Sequence, residues 1–194
     1  MTTWRLFLLI VLTGLVADQA SKFLAVDRLT TALSRTDGSL RARVEGFYSF
    51  RHLEPWSTEP HVVWKPMWRM RYAENPGAAW GLFRDLSLQA RNAIFSLTLL
   101  GAVGFILFYF RRLRREQRLA QVALSLVFSG AIGNFIDRLA RGYVVDFIDW
   151  HWWNRPDLYF PTFNVADSMI TVGVLLLVLL PAEPAAAKAK ASRG

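Results

Sequence analysis

Four apolar blocks dominate the hydropathy pattern of this 194-residue chain. They run from about residue 4 to 26, 90 to 110, 119 to 139 and 163 to 180. A helix needs roughly 20 residues to cross about 30 Å of hydrocarbon. The pattern therefore predicts an α-helical integral membrane protein with four transmembrane helices.

The first block has an alternative interpretation, because Arg5 followed by an apolar run also resembles a secretory signal peptide. Apolar character resumes after Asp18 and Lys22, and no convincing small-residue cleavage site follows. We therefore interpret this block as a membrane helix that the protein retains.

The charge pattern orients these helices. A net charge of +8 suggests a nucleic-acid partner, but much of the charge lies beside apolar blocks, so none is predicted. The segment Arg111–Arg118 holds five arginines in eight residues, and short basic loops stay in the cytoplasm. This predicts cytoplasmic termini and outward-facing stretches at about 28–89 and 141–162. The Pro/Ala/Lys-rich residues 183–194 are predicted to form a disordered cytoplasmic tail.

The first outer stretch has strand character. GFYSF (46–50) and WRMRY (68–72) alternate large residues with polar or small ones, which predicts a small extracytoplasmic antiparallel β-sheet. Trp68, Met70 and Tyr72 would share one face of it. Prolines at positions 55, 60 and 66 predict that residues 52–65 are mostly loop.

Several kinds of chemistry are excluded or lack support. The chain has no cysteine, which excludes disulfides and a thiol nucleophile. Its three histidines, His52, His61 and His151, lack metal-ligand spacing. We predict no metal site and no cofactor.

Ionisable side chains in or beside membrane spans are costly and suggest function. Asp18 and Lys22 are four residues apart, so they share a helix face and can pair. The predicted topology brings them level with polar residues that end the third block and begin the fourth. These residues are Asn134, Asp137, Arg138, Asn164 and Asp167. Polar contacts that only hold helices together are the alternative.

A pair of carboxylates is the natural candidate for peptide hydrolysis without metal, cysteine or a Ser–His pair. One acid acts as general base while its protonated partner polarises the carbonyl. Asp167 is a strong candidate, since it begins a membrane helix one turn after Asn164. Its partner remains open among Asp18, Asp137, Asp146 and Asp149. Desolvation in the apolar run YVVDFI would help Asp146 to retain a proton, which favours it.

Five motifs, in order, extend over most of the chain. They are DQASK (18–22), NPGAAWG (75–81), GNFIDR (133–138), VVDF (144–147) and FNVAD (163–167). Together they resemble the lipoprotein signal peptidases (signal peptidase II), the membrane aspartyl peptidases of bacteria. Two departures are a tryptophan where phenylalanine is usual in NPGAAWG, and a longer outer region at about 35–65.

The resemblance implies that Asp146 and Asp167 are the catalytic pair. Supporting or substrate-binding positions would be Asp18, Lys22, Asn75, Gly77, Asn134, Asp137, Arg138, Asn164 and Ala166. We also expect the three asparagines to donate hydrogen bonds to an unwound substrate backbone.

The implied reaction removes the signal peptide from a prolipoprotein, before a cysteine that carries diacylglycerol. It would occur near the outer face of the bacterial cytoplasmic membrane, in a monomeric domain of residues 1–182 surrounded by lipid. A proton-coupled transporter and a non-catalytic assembly protein are the alternatives. Against transport, the acids cluster at one face and do not form a relay across the membrane.

Overall fold

The structure is a computed structural model that describes residues 3–65, 67–77, 83, 85–152 and 155–180. These residues form five helices, α1 (Thr3–Leu29), α2 (Leu40–Ser49), α3 (Leu88–Phe110), α4 (Arg118–Arg141) and α5 (Val165–Val178). They also form four strands, β1 (His61–Trp64), β2 (Trp68–Asn75), β3 (Val144–Trp152) and β4 (Arg155–Tyr159). The predicted tail at 183–194 and residues 78–81 of the NPGAAWG motif lie outside the described residues.

Helices α1 and α4 run parallel to each other. The hydroxyl of Ser129, midway along α4, donates to the carbonyl of Val11 in the first half of α1 over 3.1 Å. Further along both, Lys22 donates to the side-chain oxygen of Asn134 over 3.0 Å. Because the residue numbers of the contacting pairs rise together in α1 and α4, the two helices run in the same direction.

Helix α5 runs antiparallel to α4 and packs closely against it. Gly130 lies against the carbonyl of Ala166, and Gly173 lies 2.7 Å, measured from an ideal Cβ position, from the carbonyl oxygen of Ala123. A side chain at either glycine would overlap backbone atoms. Small residues therefore set the close approach of these two helices, as is common in membrane bundles.

Among the described residues, three helices, α1, α3 and α4, are long and apolar enough to cross a membrane. Large apolar side chains on them are exposed, for example Leu97 at 70% and Leu12 at 61%. The fourth predicted block also contains a helix, but α5 has 14 residues. A helix of that length measures about 21 Å, less than a typical hydrocarbon layer.

The strands form an antiparallel sheet in the order β1-β2-β3-β4. The strand predicted at residues 68–72 is confirmed as part of β2. Met70 pairs with Ile148 and Ala73 pairs with Asp146, so β2 has one extra residue between these pairs. The sheet thereby places Asp146 beside the end of β2.

The strand predicted at residues 46–50 is wrong, because this segment belongs to α2. The side chain of Ser39 caps the helix by accepting the N–H of Ala42. Phe47 is buried, with its ring 5.5 Å from that of Phe23 and under the guanidinium of Arg141. Burial against α1 and α4 outweighs a local alternation of only five residues.

The loop predicted at residues 52–65 is wrong in part, because β1 occupies its end. This edge strand pairs with β2, but all four of its side chains are exposed. With neither face buried, no alternation of apolar and polar residues marks it. A hydrophobic cluster that includes Val26, Leu53 and Phe147 joins this outer extension to α1 and the sheet.

Candidate active site

Two carboxylates meet where β3 passes the start of α5. Asp146 lies in β3 and Asp167 lies in the first turn of α5. Just before α5, the N–H of Phe163 donates to the carbonyl of Ile148 over 3.0 Å, and the N–H of Ile148 donates back over 2.8 Å. This bridge fixes Asn164, the residue before α5, beside the strand that carries Asp146.

Asn164 contacts both acids. Its side-chain oxygen accepts the N–H of Asp167 over 3.0 Å, and the Asp167 carboxylate accepts the N–H of Asn164 over 3.3 Å. This reciprocal capping box starts the helix. The Asn164 amide also donates to Asp146 over 2.6 Å. One side chain therefore positions the two carboxylates relative to each other.

Two further asparagines hold one acid each. Asn75 donates to Asp146 over 3.0 Å, and its side-chain oxygen accepts the N–H of Gly77 over 3.2 Å. Asn134 donates to Asp167 over 2.7 Å. All three asparagines therefore orient the acids, while hydrogen bonds from them to a substrate backbone stay a prediction.

The environment of Asp146 favours its protonated form. Its side chain is buried, and burial is the main cause that raises its pKa to about 7. The charge of Asp167 raises it further, while hydrogen bonds from Asn75 and Asn164 and the charge of Lys22 oppose the shift. Two neighbouring carboxylates with little access to water ionise one at a time. The pair can therefore hold a single proton near neutral pH.

A buried group of charges lies behind the two acids. Lys22 is fully buried, with its ammonium 2.9 Å from Asp18 and 3.0 Å from Asp137, and it donates to Asn134 over 3.0 Å. Arg141 pairs with Asp137 over 2.7 Å. The predicted pair of Asp18 and Lys22 is confirmed. Two cations balance two anions, which is the condition for keeping charges inside a protein.

This ionic cluster connects the elements that carry Asp146 and Asp167. Asp18 accepts the N–H of Ala166 in α5 over 3.1 Å. Asp137 accepts the N–H of Val145 in β3 over 3.2 Å. Ala166 is fully buried, and an ideal Cβ at Gly133 would lie 3.5 Å from its methyl group. Neither Asp18 nor Asp137 contacts Asp146 or Asp167; they hold the backbone of α5 and β3 instead.

The arginine next to Asp137 in the sequence is not its partner. Arg138 does not pair with it but donates to the carbonyl of Gly77 over 3.0 Å and lies 4.1 Å above the ring of Phe95. Adjacent residues on a helix point in different directions, whereas residues four apart share a face. Arg141 is four residues after Asp137, and that spacing was the signal for the partner that the sequence analysis missed.

A cavity of about 560 Å³ opens beside Asp167. Its polar lining includes Asn75, Asn134, Arg138, Asp167 and Thr162, and its apolar lining includes Val144, Trp150, Phe160, Phe163, Ile170 and Val172. A mainly apolar wall with a few convergent polar groups is typical of a site for a small or lipid-like ligand. Asp167 thus borders a space that a substrate can enter.

Comparisons with known proteins find relatives that are named Lipoprotein signal peptidase. The Lipoprotein signal peptidase of Anaeromyxobacter sp. (strain Fw109-5) is 60% identical over 186 residues, covering 95% of this chain and 88% of the relative. That of Geobacter sulfurreducens is 38% identical over 177 residues, covering 91% of each.

Solved structures of bacterial membrane enzymes share the fold. One is 27% identical with a TM-score of 0.64, covering 98% of this chain and 92% of the other. A second is 28% identical with a TM-score of 0.65, covering 90% and 91%. The family described as Signal peptidase (SPase) II matches residues 10–181. The match spans most of the protein, and this chain therefore belongs to the signal peptidase II family of peptidases.

Proposed function

We propose that this chain is a lipoprotein signal peptidase in which Asp146 and Asp167 form the catalytic dyad. The observation that carries the proposal is the shared contact with Asn164, which holds both acids beside a cavity of about 560 Å³. The substrate class follows from the family and from relatives named Lipoprotein signal peptidase.

The dyad divides the chemistry between an acid and a base. Protonated Asp146 donates a hydrogen bond to the scissile carbonyl, consistent with its raised pKa. Ionised Asp167 takes a proton from the water whose oxygen attacks the carbonyl carbon. When the C–N bond breaks, the leaving nitrogen receives a proton from the dyad. Protons are conserved, because one enters from water and one leaves with the amine.

The surroundings of Asp167 suit the role of base. It lines the cavity, whereas Asp146 is only 2% exposed. The amide of Asn134 donates to the carboxylate of Asp167 over 2.7 Å and orients it. Asp167 is therefore the acid that meets water first.

The cavity also suits a lipid-bearing substrate. Trp150, Phe160, Phe163, Ile170 and Val172 give it an apolar wall next to the carboxylates. By family resemblance, the cut precedes a cysteine that carries diacylglycerol. In this proposal the apolar wall binds the lipid. The lipid and the signal helix enter the cavity sideways from the bilayer.

The protein has four spans in this proposal, with both termini and Arg111–Arg118 in the cytoplasm. Helices α1 and α4 run in one direction and α5 in the other, which fits this topology. Helix α5 starts level with Asn134 of α4 and packs alongside residues 118–134 of that helix. This part of α4 is about 24 Å long. The site then lies near the outer face. Residues 1–182 act as one monomeric domain in lipid, without a cofactor.

The test is cleavage of a diacylglyceryl-cysteine prolipoprotein by purified wild type, Asp146→Asn and Asp167→Asn, with mass spectrometry to locate the cut. Each amide removes one acid–base function, and we expect turnover to fall by about 10²-fold or more. Asp149→Asn is the matched control. This buried acid in the same strand pairs with Arg69 and Arg71, so its variant should keep turnover if it folds.

The outcomes separate the two parts of the proposal. Turnover retained by folded Asp146→Asn would contradict the dyad but not the function. Folded wild type that never cuts before the lipidated cysteine would contradict the function itself. Thermal unfolding of each variant in detergent shows whether a loss of turnover reflects misfolding.

A further inference from the structure

A second cavity, of about 570 Å³, lies between the end of α1 and the sheet. Leu24 and Ala25 of α1 face Met70 of β2 and Phe147 of β3 across it. Phe147 follows Asp146 in the chain but packs into the hydrophobic cluster with Val26 and Leu53. This cavity is therefore on the other side of β3 from the two carboxylates and shares no lining residue with the first cavity.

The cavity opens where α1 passes from apolar to charged sequence. Leu24 at its edge is 54% exposed, like Val16 at 68% further down the helix. Arg28 lies one turn after Leu24 and ends the apolar run. In the proposed orientation, the opening faces the outer leaflet at the boundary between acyl chains and headgroups.

Arg28 lines the cavity, and the pair of Asp27 and Arg43 lies next to it. The Arg28 side chain is 79% exposed and lies 3.6 Å from Asp27, while Asp27 also pairs with Arg43. Two cations therefore face one carboxylate. His61, an exposed residue of β1, adds an imidazole that can donate a hydrogen bond.

We propose that this cavity binds an anionic phospholipid of the bilayer. An acyl chain fills the space between Leu24 and the pair of Met70 and Phe147, since such an apolar space gives water few hydrogen-bond partners. The lipid phosphate contacts Arg28 and His61. A guanidinium binds phosphate through paired hydrogen bonds, which suits Arg28.

Charge complementarity selects an anionic over a zwitterionic lipid. Phosphatidylglycerol has a net negative charge, whereas the choline of phosphatidylcholine neutralises its own phosphate. The net positive group formed by Arg28, Arg43 and Asp27 therefore favours phosphatidylglycerol. The site goes beyond the peptidase function, since neither Arg28 nor His61 contacts Asp146 or Asp167.

The experiment is native mass spectrometry of full-length protein in a neutral detergent, titrated with dioleoylphosphatidylglycerol or dioleoylphosphatidylcholine. Wild type should bind phosphatidylglycerol preferentially. Arg28→Gln with His61→Gln removes one cation and one hydrogen-bond donor, and should reduce that preference about fivefold. Arg41→Gln is the control, because Arg41 is 88% exposed on α2 and pairs with Glu45. A phosphatidylglycerol with a photoreactive acyl chain should label the peptides that contain Leu24 and Met70.

Equal binding of the two lipids by wild type would overturn the proposal, as would an unchanged preference in the double variant. Labelling that avoids both peptides would also overturn it. The readout needs no prolipoprotein, so a wild type without peptidase activity would count against the proposed function and leave the lipid result intact. Cleavage by the double variant in detergent should equal that of wild type.

Discussion

Asn164 has two roles that one pair of substitutions can separate. It caps α5 through its side-chain oxygen, and it donates to Asp146 over 2.6 Å through its amide. Serine is a comparably good N-cap but is too short to reach Asp146. Asn164→Ser should therefore keep the cap and lose the amide contacts with Asp146 and Asn134, whereas Asn164→Ala should lose the cap as well.

The expected magnitudes differ for stability and for catalysis. Loss of the cap should make Asn164→Ala less stable than Asn164→Ser by about 1 kcal/mol. A hydrogen bond to a charged group is stronger than one to a neutral group by roughly 1 to 1.5 kcal/mol. The contact with Asn164 thus lowers the pKa of Asp146. Its loss should raise that pKa by about one unit in both variants.

The pH profile of kcat/KM reports this change. If Asp146 supplies the proton, wild-type activity falls on the alkaline side as pH passes about 7. Both variants should show the same fall about one pH unit higher, with lower maximal turnover because Asp146 is less well oriented. The free energy of unfolding should also depend on the protonation of Asp146. Its folded-state pKa lies above the ordinary value of 3.8, so its contribution to the free energy of unfolding is fully present below pH 3.8 and is lost as pH rises through about 7.

The assay is prolipoprotein cleavage across the pH range for wild type and both variants, with thermal unfolding at each pH. An alkaline limb that stays at the wild-type position in both variants would refute the assignment of the proton to Asp146. Equal stability of the serine and alanine variants would refute the capping contribution. The two conclusions therefore fail independently.

Two further predictions concern packing and buried charge. Lys22→Met leaves buried carboxylates without their shared cation, which should cost about 3–5 kcal/mol of stability and reduce turnover. Arg41→Met removes an exposed pair and should change little; similar unfolding temperatures for the two variants would contradict the argument. Gly130→Ala places a methyl group against the carbonyl of Ala166 and should cost about 1–3 kcal/mol. Gly101→Ala, with open space around it, should unfold like wild type.

Contacts within one helix were predictable from spacing. The pairing of Asp18 with Lys22 follows from a separation of four residues. The contact of Asn164 with Asp167 is likewise local, since a helix start brings the cap residue and the third helical residue together. The long apolar blocks also predicted their helices, because a hydrocarbon environment requires internal hydrogen bonds along the whole segment.

The outer region shows where local pattern was insufficient. The alternation in residues 46–50 suggested a strand, yet Phe47 is buried only because α1 and α4 present a surface to a helix there. Strand β1 carried no alternation at all, since neither of its faces is buried. Its identity depends on pairing with β2, which local sequence does not encode.

Tertiary contacts also distinguish the acid that partners Asp167 from the other candidates. Asp18 and Asp137 share the ammonium of Lys22, and the contact between Lys22 and Asp137 joins α1 to α4, while Arg141 pairs with Asp137 within α4. Asp149 is held by arginines of β2. Asp146 alone among these partner candidates contacts Asn164, which also caps the helix of Asp167.

The sequence by itself determined the membrane helices, the pairs within them and, through five motifs, the family. The tertiary structure decided how Asp146 is held beside Asp167, and it alone decided where the outer extension packs and where a second cavity forms. The physical reason is the range of the interactions. Hydrophobic periodicity and caps act within a few residues, whereas the hydrogen bond from Ala166 to Asp18 joins positions 148 residues apart and exists only when the helices pack.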